Sequence, residues 1–385
     1  MSQLHDLCKF PTRPITVEYV SQLRSYLSSG VPATYTVEEA YNYENRVETE
    51  PATATTPLHL ICTHVPTDLD EGETAVVDEM CDVLFEYGAG WSFTDVNNET
   101  PGCVLIRRGL KDWALYEKLV DAGVRAELLL RKVSEYDVEF VEEGEVVASE
   151  EAAAPSHNQQ AFLESKLEYV DDALVTKERK DGVMMSWESD IMQLAADSIT
   201  VNGSDDLCIL NIGFGMGIID TMLQQKNPRK HYICEAHPDV LAKMKQDGWF
   251  EKANVVVLSG RWQDELDKLL SQGTVFFDGI YYDTFSEHYS DMLELFDYVV
   301  GLLKPDGVFS FFNGLGADRQ VVYEVYKKLV QIDLENYGLR CRFKEMRVPP
   351  ELFKKGGASI WDDIKRSYWS CPIYYHPEAT FMDFS

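Results

Sequence analysis

Residues 207–217 read Leu-Cys-Ile-Leu-Asn-Ile-Gly-Phe-Gly-Met-Gly. An apolar run stops at three glycines spaced two apart, Gly213, Gly215 and Gly217, and a helical pattern follows. This order predicts a strand, a tight turn and a helix start. Glycine at each turn position predicts a ligand lying so close to the backbone that a Cβ would clash. Glu235 closes the next apolar run, Lys-His-Tyr-Ile-Cys-Glu. A carboxylate at that place suits the two hydroxyls of a ribose. Together these segments predict an enzyme that uses a nucleotide cofactor.

From Leu207 onward strand and helix patterns alternate. Strands are predicted over 207–212, 231–235, 254–258, 276–282, 307–312, 340–346 and 368–375, and helices over 217–226, 238–248, 262–271, 288–303 and 318–332. A turn is expected at Pro305-Asp306-Gly307, between the fourth helix and the fifth strand. Alternation of this kind predicts an α/β fold with a doubly wound, mainly parallel, seven-stranded sheet. Its ligand should lie outside the carboxyl ends of the strands. A short amphipathic helix is expected ahead of this region, at Ala161–Val170, carrying Phe162, Leu163, Leu167 and Tyr169. The glycines run G-x-G-x-G, and residue 218 is Ile where a dinucleotide fingerprint has glycine. That departure favours S-adenosylmethionine, which has no pyrophosphate to seat on the helix start.

The N-terminal part reads differently. Thr56-Pro57-Leu58-His59 resembles the opening of an ankyrin repeat. A second helix is expected over Val76–Tyr87, ending at Gly88, where glycine is the usual helix stop. The next unit begins at Glu99-Thr100-Pro101 and is expected to end at Gly123, and an earlier degenerate unit ends at Gly30. Two to three repeats are expected, with a plain helical hairpin domain as the alternative. Residues 139–158 are acidic and Ala-rich and read as a linker. The domains expected are therefore an all-α ankyrin-like segment at 1–138, a linker at 139–158 and a cofactor-binding domain at 159–385. Ankyrin stacks bind proteins and carry no chemistry of their own.

The chain has 65 Asp and Glu against 35 Lys and Arg, a net charge of −30. Residues 1–150 are the denser anion, with 28 acidic residues against 11 basic ones. Such a field repels nucleic-acid phosphates and attracts a basic protein partner. The eight cysteines form no CxxC pair, and His157, His231, His237 and His288 show no metal-ligand spacing with them, so no metal site is expected. The cysteines read as reduced core residues. No signal peptide and no run of membrane-spanning length are read, so the expectation is a cytosolic protein with the nucleus open to it.

Six segments carry a family resemblance: Val183-Met184-Met185-Ser186-Trp187-Glu188, Asn211–Gly217, Cys234-Glu235-Ala236-His237, Gly260-Arg261-Trp262-Gln263-Asp264, Phe277–Thr284 and Leu303–Val308. In order and spacing they resemble guanidinoacetate methyltransferase across about residues 160–375. With the ankyrin-like segment in front, the whole chain resembles the fungal and plant protein arginine N5-methyltransferases, the type IV class. The resemblance implies a class I S-adenosylmethionine methyltransferase fold. It implies methyl transfer to the internal δ nitrogen of an arginine in a basic protein, a ribosomal protein among the candidates. Phe214, Gly215, Met216, Gly217, Ile218 and Ile219 would line the methionine and ribose side of the cofactor. Glu235 would hold the ribose, with Ala236 and His237 beside it, and Trp262 and Gln263 would bracket the adenine. Met184, Phe162 and Tyr169 would cover the cofactor. Glu188 and Asp283 would be the catalytic carboxylates gripping the guanidinium, with Asp283 also reaching the cofactor. The chain departs from the small-molecule enzyme at Phe311-Phe312-Asn313-Gly314-Leu315-Gly316, which puts a small-substrate pocket in doubt.

The chemistry asked of these residues is specific. A guanidinium stays protonated to about pH 12 and its lone pairs are delocalised, so it is a poor nucleophile. Two carboxylates fix its plane, stabilise charge as the nitrogen attacks, and offer a base for the departing proton. Duller readings stand beside this one: Glu188 as a first-turn helix carboxylate, Asp283 as a strand-end cap, Trp262 as core, Met184 as a gap-filler and His237 as a helix start before Pro238. Of Tyr281 and Tyr282, one should face each side of the sheet. Three other functions remain open: a small-molecule guanidine methyltransferase, a binding protein that has lost catalysis, and a nicotinamide dehydrogenase.

Overall fold

The computed structural model describes residues 1–135, 158–202, 206–353, 360–361, 364–365 and 367–382. All of the expected linker except Asn158 lies outside the described residues. The chain forms two compact units, Met1–Glu139 with Arg319–Tyr326, and Phe140–Asp318 with Lys327–Ser385.

The first unit contains helices α1 (Ser2–Leu7), α2 (Val17–Ser28), α3 (Val37–Asn45), α4 (Pro57–His64), α5 (Glu71–Glu86), α6 (Pro101–Arg107) and α7 (Ala114–Glu135). The starts follow from side-chain caps. Thr56 caps α4, and its hydroxyl and the His59 ring lie 2.8 Å apart, with Pro57 in the first turn, where a missing N–H costs nothing. The His59 ring also reaches the Glu99 carbonyl at 3.0 Å, joining the starts of two successive helix pairs. Thr100 and Pro101 repeat the arrangement at α6. Helix α5 begins at Glu71, five residues before the predicted start, because Asp70 caps it and Glu73 reaches back. Gly30 and Gly88 follow α2 and α5 with φ of 93° and 85°, as helix stops should. The stop predicted at Gly123 does not occur, and α7 runs through it. A Cβ there would come within 2.6 Å of Val325 Cγ2 and 3.0 Å of the Trp91 ring, so this glycine makes room for packed side chains and ends nothing.

The second unit opens with α8 (Gln159–Glu164) and a three-stranded antiparallel sheet, β1 (Leu167–Val170), β2 (Ala173–Thr176) and β3 (Gly182–Met185). The helix predicted over 161–170 is therefore corrected. It stops at Glu164, Ser165 is extended, and Leu167 and Tyr169 pair with Thr176 and Leu174. A 3-10 turn at Ser186–Glu188 leads into α9 (Ser189–Ile199), which the sequence reading did not include.

The large sheet follows as β4 (Cys208–Ile212), β5 (Lys230–Glu235), β6 (Val255–Ser259), β7 (Phe277–Tyr282), β8 (Leu303–Phe311), β9 (Leu339–Arg347) and β10 (Ile373–Phe381). Between them lie α10 (Ile218–Gln225), α11 (Pro238–Gln246), α12 (Trp262–Gln272), α13 (Tyr289–Leu302) and α14 (Gln320–Asn336). The strand order is β6-β5-β4-β7-β8-β10-β9, with β10 antiparallel to both neighbours and β4 to β8 mutually parallel where they pair. The order reverses beside β4, and that switch point is where such sheets take ligands. The arrangement is that of class I S-adenosylmethionine methyltransferases. Two details differ from expectation. Helix α13 passes straight into β8 at Leu303, and Lys304–Gly307 form an irregularity between the pairs Phe277–Leu303 and Gly279–Val308. The last strand begins at Ile373, five residues beyond its predicted start.

Both faces of the sheet are buried. Ile209, Ile233 and Tyr281 pack on one side, and Leu210, Ile280, Tyr282 and Phe309 on the other. Tyr281 and Tyr282 thus face opposite ways, as the strand period requires.

Candidate active site

The glycine turn is built first by the protein itself. Gly213, Gly215 and Gly217 have φ of 95°, 54° and 69°, a region that only glycine enters cheaply. A Cβ on Gly213 would collide with the Asp283 carbonyl, and one on Gly215 would come within 2.7 Å of Met184 Cε. The closeness predicted for a ligand is thus also closeness of protein to protein. Asn211 Nδ2 donates to the Gly213 carbonyl and to Asp220 Oδ2, both at 2.9 Å, bracing the turn from inside. The Tyr169 hydroxyl donates to the Gly215 carbonyl at 3.1 Å, and the Met216 N–H reaches Met184 Sδ at 3.2 Å. Tyr169 does this from β1, a strand where a helix was predicted.

Glu235 ends β5 among backbone donors. Its Oε2 accepts from Phe214 N at 2.9 Å, and its Oε1 from Ala236 N at 2.8 Å and His237 N at 2.7 Å. Burial raises its pKa more than these bonds lower it. The His237 ring accepts from Asp239 N and donates to the Phe162 carbonyl at 3.1 Å. That fixes a neutral tautomer, consistent with a pKa lowered first by burial. His237 therefore seats α8 on the start of α11.

These residues surround a cleft of about 620 Å³, including its open mouth, at the carboxyl ends of β4, β5 and β7. Phe162, Met184, Gly215, Glu235, Ala236, Trp262 and Asp283 line it. Tyr169, Phe214, Met216, Gly217, Ile218, Ile219, His237 and Gln263 do not. Phe214 is buried against Trp249, Ile219 is in the core, and Gly217 starts α10. Sequence reasoning missed Glu287, which also lines the cleft. Its carboxylate accepts from Trp262 Nε1 at 2.8 Å, from the Thr284 hydroxyl at 2.6 Å and from the Tyr282 hydroxyl. No sequence pattern marks it among 65 acidic residues.

Glu188 is buried and Asp283 half-buried in the cleft wall, close enough for the charge of Asp283 to act on Glu188. Burial lifts Asp283 from 3.8 to about 7. Burial first, and Asp283 second, lift Glu188 from 4.5 to about 8. Tyr368, another residue the sequence reading missed, donates to Glu188 Oε1 at 2.5 Å, and Met185 N donates to Oε2 at 3.3 Å. Asp283 lines the cleft and Glu188 does not. Asp283 also borders a second cavity, with Phe312, Gly314 and Leu315.

A pH dependence follows. Each carboxyl keeps its proton in the native chain above the pH at which an unfolded chain releases it. The native state then binds more protons between the ordinary 3.8–4.5 and the raised values of about 7 and 8, so stability without ligand falls as pH rises through that window. If the two acids hold the guanidinium of the acceptor they must be anionic, and the KM for an arginine acceptor should then fall over the upper part of that range and level off above it. Steady-state assays from about pH 6 to about pH 9 check this, and a flat profile would contradict it.

The residues present fit a nucleoside cofactor: a cleft at the switch point of the sheet, a carboxylate, Glu235, at the end of the strand beside the glycine turn, and an orphaned amide oxygen, that of Gln159. The fold and cleft together define an S-adenosylmethionine-dependent methyltransferase. Residues 155–337 match the family model described as guanidinoacetate N-methyltransferase. The protein arginine N-methyltransferase 2 of Debaryomyces hansenii is 57% identical, with 100% of each chain covered. Those of Kluyveromyces lactis and Saccharomyces cerevisiae are 52% and 49% identical, each covering 99% of this chain and 100% of their own. The chain belongs to the protein arginine N-methyltransferase 2 family.

Proposed function

We propose that this methyltransferase acts on the δ nitrogen of an arginine within a basic protein, with Glu188 and Asp283 as its catalytic carboxylates. The observation that carries this is a carboxyl pair with unequal access: half-buried Asp283 borders the cofactor cleft, and buried Glu188 lies away from it. An arginine whose terminal nitrogens reach Glu188 leaves its internal nitrogen alongside Asp283, next to the methyl donor. In-plane contacts with both acids hold the guanidinium flat and leave one face open. S-adenosylmethionine, when bound, supplies an electrophilic methyl carbon on a sulfonium. Asp283 stabilises the charge that grows on the attacking nitrogen and can accept its proton, and Glu188 fixes the plane through the rigid Tyr368 contact. The resemblance to the type IV class supports the same nitrogen. The remaining cofactor residues keep the roles that the resemblance implies, with Glu235 at the ribose and Trp262 at the base.

Fragmentation mass spectrometry of the methylated protein tests this, since δ and ω products break differently. Exclusive ω products would refute the nitrogen, and transfer to guanidinoacetate alone would favour a small-molecule acceptor instead.

The helical unit is read as ankyrin-type repeats that dock the substrate, with the domain limits expected from sequence. Its support is the capped Thr-Pro-Leu-His helix, the acidic field and exposed Phe93 and Val96 in the turn before α6. The double replacement Phe93→Ser with Val96→Ser should raise KM for a basic protein acceptor about fivefold and leave cofactor affinity unchanged. An unaltered KM would remove that surface from docking. The acidity disfavours nucleic acid as a partner. The reaction is placed in the cytosol with the nucleus open to it, which imaging of a tagged chain would test.

A further inference from the structure

Gln159, the first residue of α8, lines the cofactor cleft beside Trp262 and Glu287. Its Nε2 lies 3.4 Å from Glu287 Oε1. Glu287 already receives the Trp262 indole N–H and the Tyr282 and Thr284 hydroxyls, so it acts as an acceptor toward each. A carboxylate in that role takes the amide NH₂ and repels the amide oxygen. The orientation of Gln159 is thereby fixed, with its oxygen turned from Glu287. That oxygen, Oε1, is buried and has no hydrogen-bond partner. A buried acceptor left without a donor is costly, and its place in a ligand cleft points to a donor on the ligand.

The cleft has a direction. The strand order β4-β5-β6 sets it: the glycine turn follows β4, Glu235 ends β5, Gly260–Trp262 follow β6, and Gln159 shares Glu287 with Trp262 at that last position. With the ribose at Glu235 and the amino-acid portion along the glycine turn, the base falls beside Trp262. The hydrogen-bond donor on the edge of an adenine ring is its exocyclic amine. We propose that Gln159, aimed by Glu287, accepts a hydrogen bond from that amine and makes the protein select adenosyl over inosyl cofactors. This rests on the S-adenosylmethionine assignment and is independent of which arginine nitrogen is methylated.

Hypoxanthine carries an oxygen where adenine carries the amine, so an inosyl ligand would set two acceptors against each other. The test is calorimetric binding of S-adenosylhomocysteine and S-inosylhomocysteine to the full chain. The wild type should prefer the adenosyl compound by about 10-fold or more. Gln159→Leu should bring the preference within about threefold, chiefly by weakening adenosyl binding. Gln159→Asn, which keeps the amide but withdraws it by one methylene, should do the same. Glu287→Gln, which frees the Gln159 amide to turn, should give an intermediate preference. Thermal melts accompany each variant. The proposal is overturned by a wild type without preference, by a wild-type preference persisting in both Gln159 variants, or by equal loss of both compounds.

Discussion

Replacing Asp283 with alanine is expected to lower kcat by about 10³-fold while the protein still binds S-adenosylhomocysteine and melts no earlier. The size follows from two losses at once. In the proposed roles, the group that meets the developing charge is gone, and so is the acid that shares the guanidinium with Glu188. Stability should hold or rise, because burying this carboxyl is unfavourable enough to lift its pKa to about 7. Asp283→Asn separates the roles, since it keeps shape and one hydrogen-bond acceptor but cannot take the proton. Single-turnover methylation with labelled donor is the measurement. Turnover within tenfold of wild type in the alanine variant would remove Asp283 from the chemistry.

Gly213→Ala is the second change with a large expected effect. The new Cβ meets a backbone atom, the carbonyl of Asp283, at a φ of 95° that alanine tolerates poorly. Backbone cannot swing aside as a side chain can, so either the glycine turn or the end of β7 must move. Cofactor affinity and rate should therefore both fall, each by at least about 30-fold on the scale of strained backbone sites. Gly215→Ala should be milder, because its Cβ meets the end of the flexible Met184 side chain. If instead the ligand alone demanded glycine, the two replacements would act equally or Gly215 would be worse. Calorimetric affinities for S-adenosylhomocysteine rank the two directly.

The parts of this site that sequence revealed are those whose cause is local. The turn after β4 needs glycine because of its own φ angles, and Glu235 ends its own strand. The long strands and helices around them show periods of two and 3.6 that need no tertiary knowledge. What stayed hidden depends on distant partners. Tyr368 meets Glu188 across 180 residues. Glu287 gains its meaning only when Trp262, Tyr282 and Thr284 converge on it. Strands β1 to β3 have four residues each, and a bulge between Leu174 and Val175 breaks their alternation. Leu167 and Tyr169 then read as part of a helix that in fact ends at Glu164. Gly123 shows the converse error: a residue typical of helix ends makes room for Val325 and Trp91 inside a helix.

Strand β10 lies between β8 and β9, although it follows both in the chain. Until it inserts, β9 has no neighbour in the sheet and β8 presents an open edge of the kind that invites aggregation. The same strand brings the Tyr374 hydroxyl up to the Asn313 amide, and Tyr368 stands just ahead of it in the chain. A chain interrupted before Ile373 would leave that edge open and lose the Tyr374 contact, and is expected to be inactive and prone to stick to its own kind.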